Sequence, residues 1–283
     1  MQGGPSIPQA FRCGRYLLDV QHPLLMGIVN LTDDSFSGDG WRGDADAAIA
    51  HGLQLVEEGA HILDLGAESS RPGAQAIATR QEIDRLLPVL EGLANCGVPL
   101  SVDTVKPEVM RAVLSAGADM INDINALRAP DTLDLLASST AGVCLMHMQG
   151  SPKTMQQAPQ YADVVQEVAD FLAARIAAVR QAGIPLERIC IDPGFGFGKA
   201  LAHNIQLLRR LDVFTELGLP VLAGLSRKSM LGALTGRAAM DRMPAGIAAH
   251  LLAAMRGARI LRVHDVAATR DALAILHAVE SDT

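Results

Sequence analysis

The chain has 283 residues, 49% of them hydrophobic but only 3% aromatic, so it can bury a large and mostly aliphatic core. The formal net charge is -7 with no long basic run, which excludes a general nucleic-acid binder but not a small anionic substrate held by a local cluster of cations. The four cysteines form no CxxC pair, no apolar stretch is long enough to span a membrane, and MQGGPSIPQAF lacks the apolar core of a signal peptide; free thiols, no membrane contact and a cytoplasmic location are expected.

Residues 1–22 read as an N-terminal arm with a short hairpin around Phe11–Val20, and 23–283 as one domain. Leu24–Asn30 is short and continuously apolar, a buried strand. LTDDSFSGDGWRGD then reads as a loop, and Asp44–Glu58 as a helix closed by Gly59. Ile62–Gly66 is the second strand, followed by the polar loop AESSRPGAQAIA. Thr79 and Glu82 have the spacing of a capping box for a helix running to about Asn95.

Leu100–Thr104 is the third strand, and Pro107 suits the first turn of a helix over Glu108–Ala116. Met120–Ile124 is the fourth strand, with a short helix near Asp131–Ser138. Gly142–Met148 is the fifth, ahead of the loop MQGSPKTMQQAP and a long helix over Tyr161–Ala182. The sixth strand, Ile189–Asp192, precedes a helix near Asn204–Leu211. Val221–Leu225 is the seventh, followed by a short segment after Lys228 and a helix over Pro244–Met255. Ile260–Val263 is the eighth, and Ala267–Val279 the last helix.

Eight strand–helix alternations without a composition break predict parallel strands closed into a TIM (β/α)8 barrel, with the site at the C-terminal ends of the strands. A doubly wound sheet is the alternative, but it concentrates function at one switch point. Here polar residues end every strand: MGIVN, ILDLGAESSRP, LSVDT, MINDI, VCLMHM, ICIDPGFGFG, VLAGLSRKSML and ILRVHDV. A polar strand end is ordinarily a helix cap. Asp103, Asn122 and Asp192 at three such ends, with Lys228 at a fourth, favour a site. An ionised Asp192 can accept two hydrogen bonds from the ring N–H and exocyclic amine of a planar heterocycle. Asn122 can donate and accept, Asp103 can accept another N–H, and Lys228 can donate to a ring carbonyl. GFGFGK fits no nucleotide-binding fingerprint, so no nucleotide site is assigned.

NLTDDSFS, AESSRPGA, SVDT, INDI, LMHMQGSPKTMQ, DPGFGFGK, GLSRKSM and RVHDV, in this order, resemble the dihydropteroate synthase family from about Met26 to the last helix. The resemblance implies a TIM-barrel transferase of folate biosynthesis. It would join p-aminobenzoate to 6-hydroxymethyl-7,8-dihydropterin diphosphate, giving 7,8-dihydropteroate and diphosphate. It implies a pterin site of Asp103, Asn122, Met146, Asp192, Lys228 and Arg262, with Met146 and Arg262 covering the ring faces. It implies diphosphate contacts from Asn30, Ser70, Arg71, Arg262 and His264, with Mg²⁺ on Asn30. The p-aminobenzoate pocket would comprise Phe36, Ser70, Arg71, Pro72, Phe197, Lys228 and Ser229. Lys228, Arg262, His264 and Asp103 would carry the chemistry, while His147 reads as a core residue or one behind the site. Sulfonamide inhibition and a homodimer are further implications.

The first loop departs from the family pattern NxTPDSFSDGG. Asp33 stands for the Pro and Gly38 for the acid, leaving Asp39 or Asp34 to supply that carboxylate. A corrinoid-linked, pterin-binding methyltransferase barrel would share the Asp and Asn residues but has no need of SSRPG or SRKS. A non-enzymatic pterin-binding paralogue is the other alternative, and the altered first loop is what would mark it. A diphosphate-release assay with both substrates separates the three readings.

Overall fold

A computed structural model describes residues 9–32, 45–69 and 76–281. The strands are β1 (Ala10–Cys13), β2 (Tyr16–Asp19), β3 (Leu24–Asn30), β4 (Ile62–Gly66), β5 (Leu100–Asp103), β6 (Met120–Asp123), β7 (Gly142–Met146), β8 (Ile189–Asp192), β9 (Val221–Ala223) and β10 (Ala258–Val263). The helices are α1 (Ala45–Glu57), α2 (Thr79–Leu93), α3 (Pro107–Ser115), α4 (Thr132–Ala137), α5 (Val164–Gln181), α6 (Leu201–Arg209), α7 (Asp212–Thr215), α8 (Ser229–Thr235), α9 (Met243–Met255) and α10 (Val266–Glu280). Strands β3 to β10 pair in parallel and close into a barrel, β10 lying beside β3. This is the expected TIM barrel.

Strand alternation divides the apolar residues into two cores. Outward residues such as Leu25, Leu63, Val102, Ile121, Val143, Ile191 and Leu261 pack under the helices. Inward residues Leu24, Met26, Ile62, Met120, Cys144, Cys190, Leu222 and Ile260 fill the lower barrel. The antiparallel β1–β2 hairpin closes that lower end: Phe11 and Cys13 join the inner core and β1 packs on β7 and β8. Arg12 pairs with Glu187 at 2.7 Å, and the Cys13 thiol lies 3.6 Å from the Asp119 carbonyl. All four cysteines are free thiols, as expected.

Two local readings are corrected. Thr79 and Glu82 form no capping box, because the N-cap is Ala78 and has no side-chain cap. Glu82 is buried instead, accepting from the Thr104 hydroxyl at 2.7 Å and from Lys106 Nζ at 2.7 Å. A long-range ammonium outcompetes the local backbone amide, since charge-assisted bonds are the stronger. Asn204 does not open its helix. It sits inside α6, its amide donating to the Lys199 and Ala200 carbonyls while its oxygen accepts from Gly196 N–H. Elsewhere the predicted boundaries hold to within three residues, and several strands stop short where their polar ends leave the ladder.

Candidate active site

The upper barrel inverts the chemistry of the lower one. Asp64, Asp103, Asn122, Asp192 and Arg262 come from β4, β5, β6, β8 and β10, and all stand at or near C-terminal strand ends. Pairing brings Gly66 beside Asp103, Asp103 beside Asn122, and Met146 beside Asp192. The candidate residues Asp103, Asn122, Met146, Asp192 and Arg262 therefore share one mouth, and Asp64 joins them there.

Asp64, which sequence reasoning did not single out, is the hub. It is fully buried and accepts from Arg262 Nε at 2.6 Å, Asn122 Nδ2 at 3.1 Å and the Ser101 hydroxyl at 2.6 Å. Arg262 also reaches Asp103 through Nη2 at 3.3 Å. Two carboxylates thus fix the guanidinium across the barrel floor of the site. Burial, Asp64 and the other nearby acids push Asp103 up to about 7 against the opposing pull of Arg262. The signal for Asp64 was present: a carboxylate at an inward position inside the otherwise apolar run ILDLG.

Asp192 is buried, and one of its oxygens accepts from Gly194 N–H at 2.7 Å. Burial raises its pKa, while Lys228 and Lys199 pull it down. Lys228 follows β9, donates to the Phe195 carbonyl, and holds its ammonium 4.6 Å from the centre of the Phe197 ring. Burial brings its pKa down to about 8, Asp192 opposing. Met146 and Phe197 belong to an apolar patch with Ile124, Met148 and Met155. That patch gives a flat ring an apolar face beside the polar edge.

His264 leaves β10 with its backbone N–H 3.3 Å and its Nδ1 2.9 Å from the Ser226 hydroxyl. The next residue, Asp265, pairs with Arg227 at 2.9 Å, so two residue pairs tie the β9 loop to the end of β10. Arg227 holds a left-handed backbone, φ 57°, directly before Lys228. Ser229 opens α8, and Asn30 ends β3 beside Gly66. The predicted residues Phe36, Ser70, Arg71 and Pro72, and the loop acids Asp33, Asp34 and Asp39, lie outside the described residues. The base of the second loop is described: Glu68 accepts from Ile77 N–H at 2.9 Å and from Lys106 at 2.6 Å, and Lys106 donates to the Ile77 carbonyl at 2.8 Å. A cavity of about 320 Å³ opens there, touching Asp103, Ile124 and Met148.

The profile of the pterin binding enzyme family matches residues 26–264. The chain is 47% identical over 265 residues to a dihydropteroate synthase of Escherichia coli K12, covering 93% of this chain and 94% of that one. A Xanthomonas albilineans dihydropteroate synthase solved with 4-aminobenzoic acid superposes with a TM-score of 0.90 at 52% identity, covering 99% of this chain and 100% of that one. A Yersinia pestis dihydropteroate synthase in a sulfonamide complex superposes with a TM-score of 0.93 at 43% identity, covering 96% and 100%.

Proposed function

We propose a division of labour from one premise: the chain belongs to the dihydropteroate synthase family, and it condenses 6-hydroxymethyl-7,8-dihydropterin diphosphate with p-aminobenzoate to give 7,8-dihydropteroate and diphosphate. It is a transferase of folate synthesis and a pterin binder. Asp192, Asn122 and Asp103 take the donor-rich edge of the pterin, with Lys228 on its ring carbonyl. Met146 covers one face and Arg262 the other. The observation that carries this reading is the convergence of Asp103, Asn122, Asp192 and Arg262 from four separate strands on one mouth, with Lys228 arriving from the β9 loop.

The reaction breaks the C–O bond at the pterin methylene and forms a C–N bond to the amine. The diphosphate departs with the electron pair, and the amine proton goes to solvent. The pterin ring spreads the positive charge that develops, so no covalent nucleophile is needed. The protein's contribution is preorganised charge. Arg262, held by Asp64 and Asp103, and His264, oriented by Ser226, face the leaving group with Asn30. Lys228 keeps its proton through most of the neutral range at a pKa of about 8.

Magnesium fits this donor set. Mg²⁺ keeps few protein ligands when phosphate oxygens are available, so it needs no cluster of carboxylates or imidazoles. The Asn30 amide oxygen would hold it, and the ion would neutralise charge on the diphosphate.

The p-aminobenzoate ring lies against Phe197, Lys228 and Ser229; Phe36, Ser70, Arg71 and Pro72, which the family resemblance adds to this pocket, lie outside the described residues. Sulfonamides, which also present an aniline, compete there. A cytoplasmic homodimer is part of the same reading. Among the described residues no helix is long and apolar enough to cross a membrane. Leu252, Met255, Ile275 and Val279 are exposed apolar side chains on α9 and α10 that a second copy would cover. Sedimentation showing only monomer at micromolar concentration would remove that element.

Calorimetry with Asp192→Asn tests the pterin assignment. The amide offers one acceptor and one unwanted donor where two acceptors are needed. Each lost charge-assisted bond costs about 1.5–3 kcal/mol, so pterin affinity should fall by roughly 100-fold or more. Unchanged affinity in a folded variant overturns the assignment.

A further inference from the structure

Lys199, the last residue of GFGFGK, acts on the site through its charge, which pulls down the pKa of Asp192, but takes no part in the pterin, diphosphate or p-aminobenzoate contacts assigned above. Its side chain is 3% exposed, yet among the described residues Nζ forms no ion pair with a carboxylate. It meets the Gly194 carbonyl at 2.9 Å, the Phe197 carbonyl at 3.0 Å and His147 Nδ1 at 2.9 Å, with the His147 carbonyl at 3.4 Å. An ammonium has three protons, so the three shorter contacts match its capacity. Burial brings its pKa down to about 7, with Asp192 opposing. Burial, with Lys199 beside it, brings His147 down to about 3, which keeps the imidazole neutral and able to accept.

Those acceptors lie on two different loops. His147 directly follows β7, and Gly194 to Phe197 form the turn after β8. The turn makes no regular ladder. Gly194 and Gly196 have φ of 72° and 80°, and a Cβ at Gly194 would overlap the His147 carbonyl. Such a turn presses close to β7 and has one backbone–backbone bond of its own, Phe197 N–H to the Gly194 carbonyl at 3.1 Å; side chains hold the rest, with Gly194 N–H donating to Asp192 at 2.7 Å, Gly196 N–H donating to Asn204 at 2.7 Å and the Gly196 carbonyl accepting from Gln156 Nε2. Yet it carries two neighbours of the Lys228 ammonium, the Phe195 carbonyl and the Phe197 ring.

We propose that Lys199 is a positioning residue of the reaction: its buried ammonium fastens the β8 turn to the end of β7 and so sets Phe197 as a wall of the p-aminobenzoate pocket. The inference rests on the assignment of Phe197 to that pocket. Without the ammonium, two carbonyls and an imidazole nitrogen lose their donor together, and buried acceptors left without partners drive a rearrangement toward solvent. The turn then withdraws Phe197, although Phe197 itself is unaltered.

A double-mutant cycle on the full-length enzyme tests this. Phe197→Ala and Lys199→Met should each raise the KM for p-aminobenzoate about tenfold, with a smaller change in the KM for the pterin diphosphate. The double variant should be no worse than Phe197→Ala alone, since coupled residues do not add. Lys199→Gln, which restores two donors, should recover part of the loss. A normal KM in Phe197→Ala refutes the pocket assignment, and the inference falls with it. A raised KM in Phe197→Ala combined with a normal KM in Lys199→Met, or with additive effects, overturns the inference alone. Failure of both Lys199 variants to fold overturns it too, leaving Lys199 a staple of the fold and nothing more.

Discussion

The two ends of the barrel interior solve the same packing problem with opposite chemistry. The lower end is filled by Met26, Ile62, Met120, Leu222 and Ile260 and sealed by Phe11 from the hairpin. The upper end is as deeply buried around Asp64 but is built from ion pairs and hydrogen bonds. Apolar burial is non-directional and tolerates any snug filler. Buried charge is tolerated only when each partner is in place. The lower end should therefore govern stability alone, and the upper end stability and chemistry together.

Asp64→Asn should have the largest effect. It leaves Asp103, at 3.3 Å, as the one carboxylate paired with Arg262 among the described residues and takes the anionic acceptor from Asn122. Breaking a buried pair by removing one partner costs about 3–5 kcal/mol. The freed guanidinium also loses its plane, so turnover should drop by roughly two orders of magnitude or more beyond the loss of folded protein. Denaturant unfolding and single-turnover kinetics check the two parts separately. Normal turnover in this variant would mean that Arg262 needs no second carboxylate.

Phe11→Ala attacks the opposite end. Truncating a fully buried phenylalanine costs about 3–5 kcal/mol. The melting temperature should fall, while kcat and both KM values, measured well below the transition, stay at their native levels. A changed KM would show that the two ends are mechanically linked and would break the comparison.

The contrast also explains what could be read from sequence. Eight apolar runs alternating with helical segments make the barrel legible, because strand burial on both faces leaves continuous hydrophobic stretches. Strand-end polarity marks Asp103, Asn122 and Asp192 for the same reason: at the mouth the apolar rule stops. Asp64 is harder to see, since it lies one step below the mouth and only the inward parity of β4 distinguishes it. Glu82 is misread because its partner Lys106 is 24 residues away, where local spacing carries no information. Lys199 hides in a glycine-rich run whose meaning depends on the β7 carbonyl it faces. His147 reads in sequence as a residue of the core or one behind the site. It lies behind the site, but that is visible only once Lys199 is placed against it.

The smallest effect, and the one that sharpens the contrast, concerns pH. The apolar plug contains no carboxylate or imidazole, whereas the polar end has a histidine buried directly behind it. His250 on α9 is buried, accepts from Leu225 N–H through Nε2 at 3.2 Å, and meets the Gly246 carbonyl through Nδ1 at 2.9 Å. Nδ1 is therefore the protonated nitrogen of a neutral ring. Burial brings its pKa down to about 4 from 6.5. A depressed folded pKa means that the unfolded chain binds the proton first. The contribution to stability is complete above 6.5, falls as the pH drops through that window, and is gone below about 4. The amount at stake is on the order of 3 kcal/mol. Asp103 and Asp192, raised by burial, change stability in the opposite sense over an overlapping range, so the native curve alone does not isolate the histidine. His250→Gln does. The amide can accept from Leu225 and donate to Gly246 without titrating, and every other group cancels in the difference. Unfolding free energies from pH 8 to 4 should show the native protein losing on the order of 3 kcal/mol relative to the variant, nearly all of it below 6.5. A constant offset across that range would mean that the imidazole is protonated equally in the folded and unfolded chain. The imidazole would then contribute nothing to the acid sensitivity of the polar end.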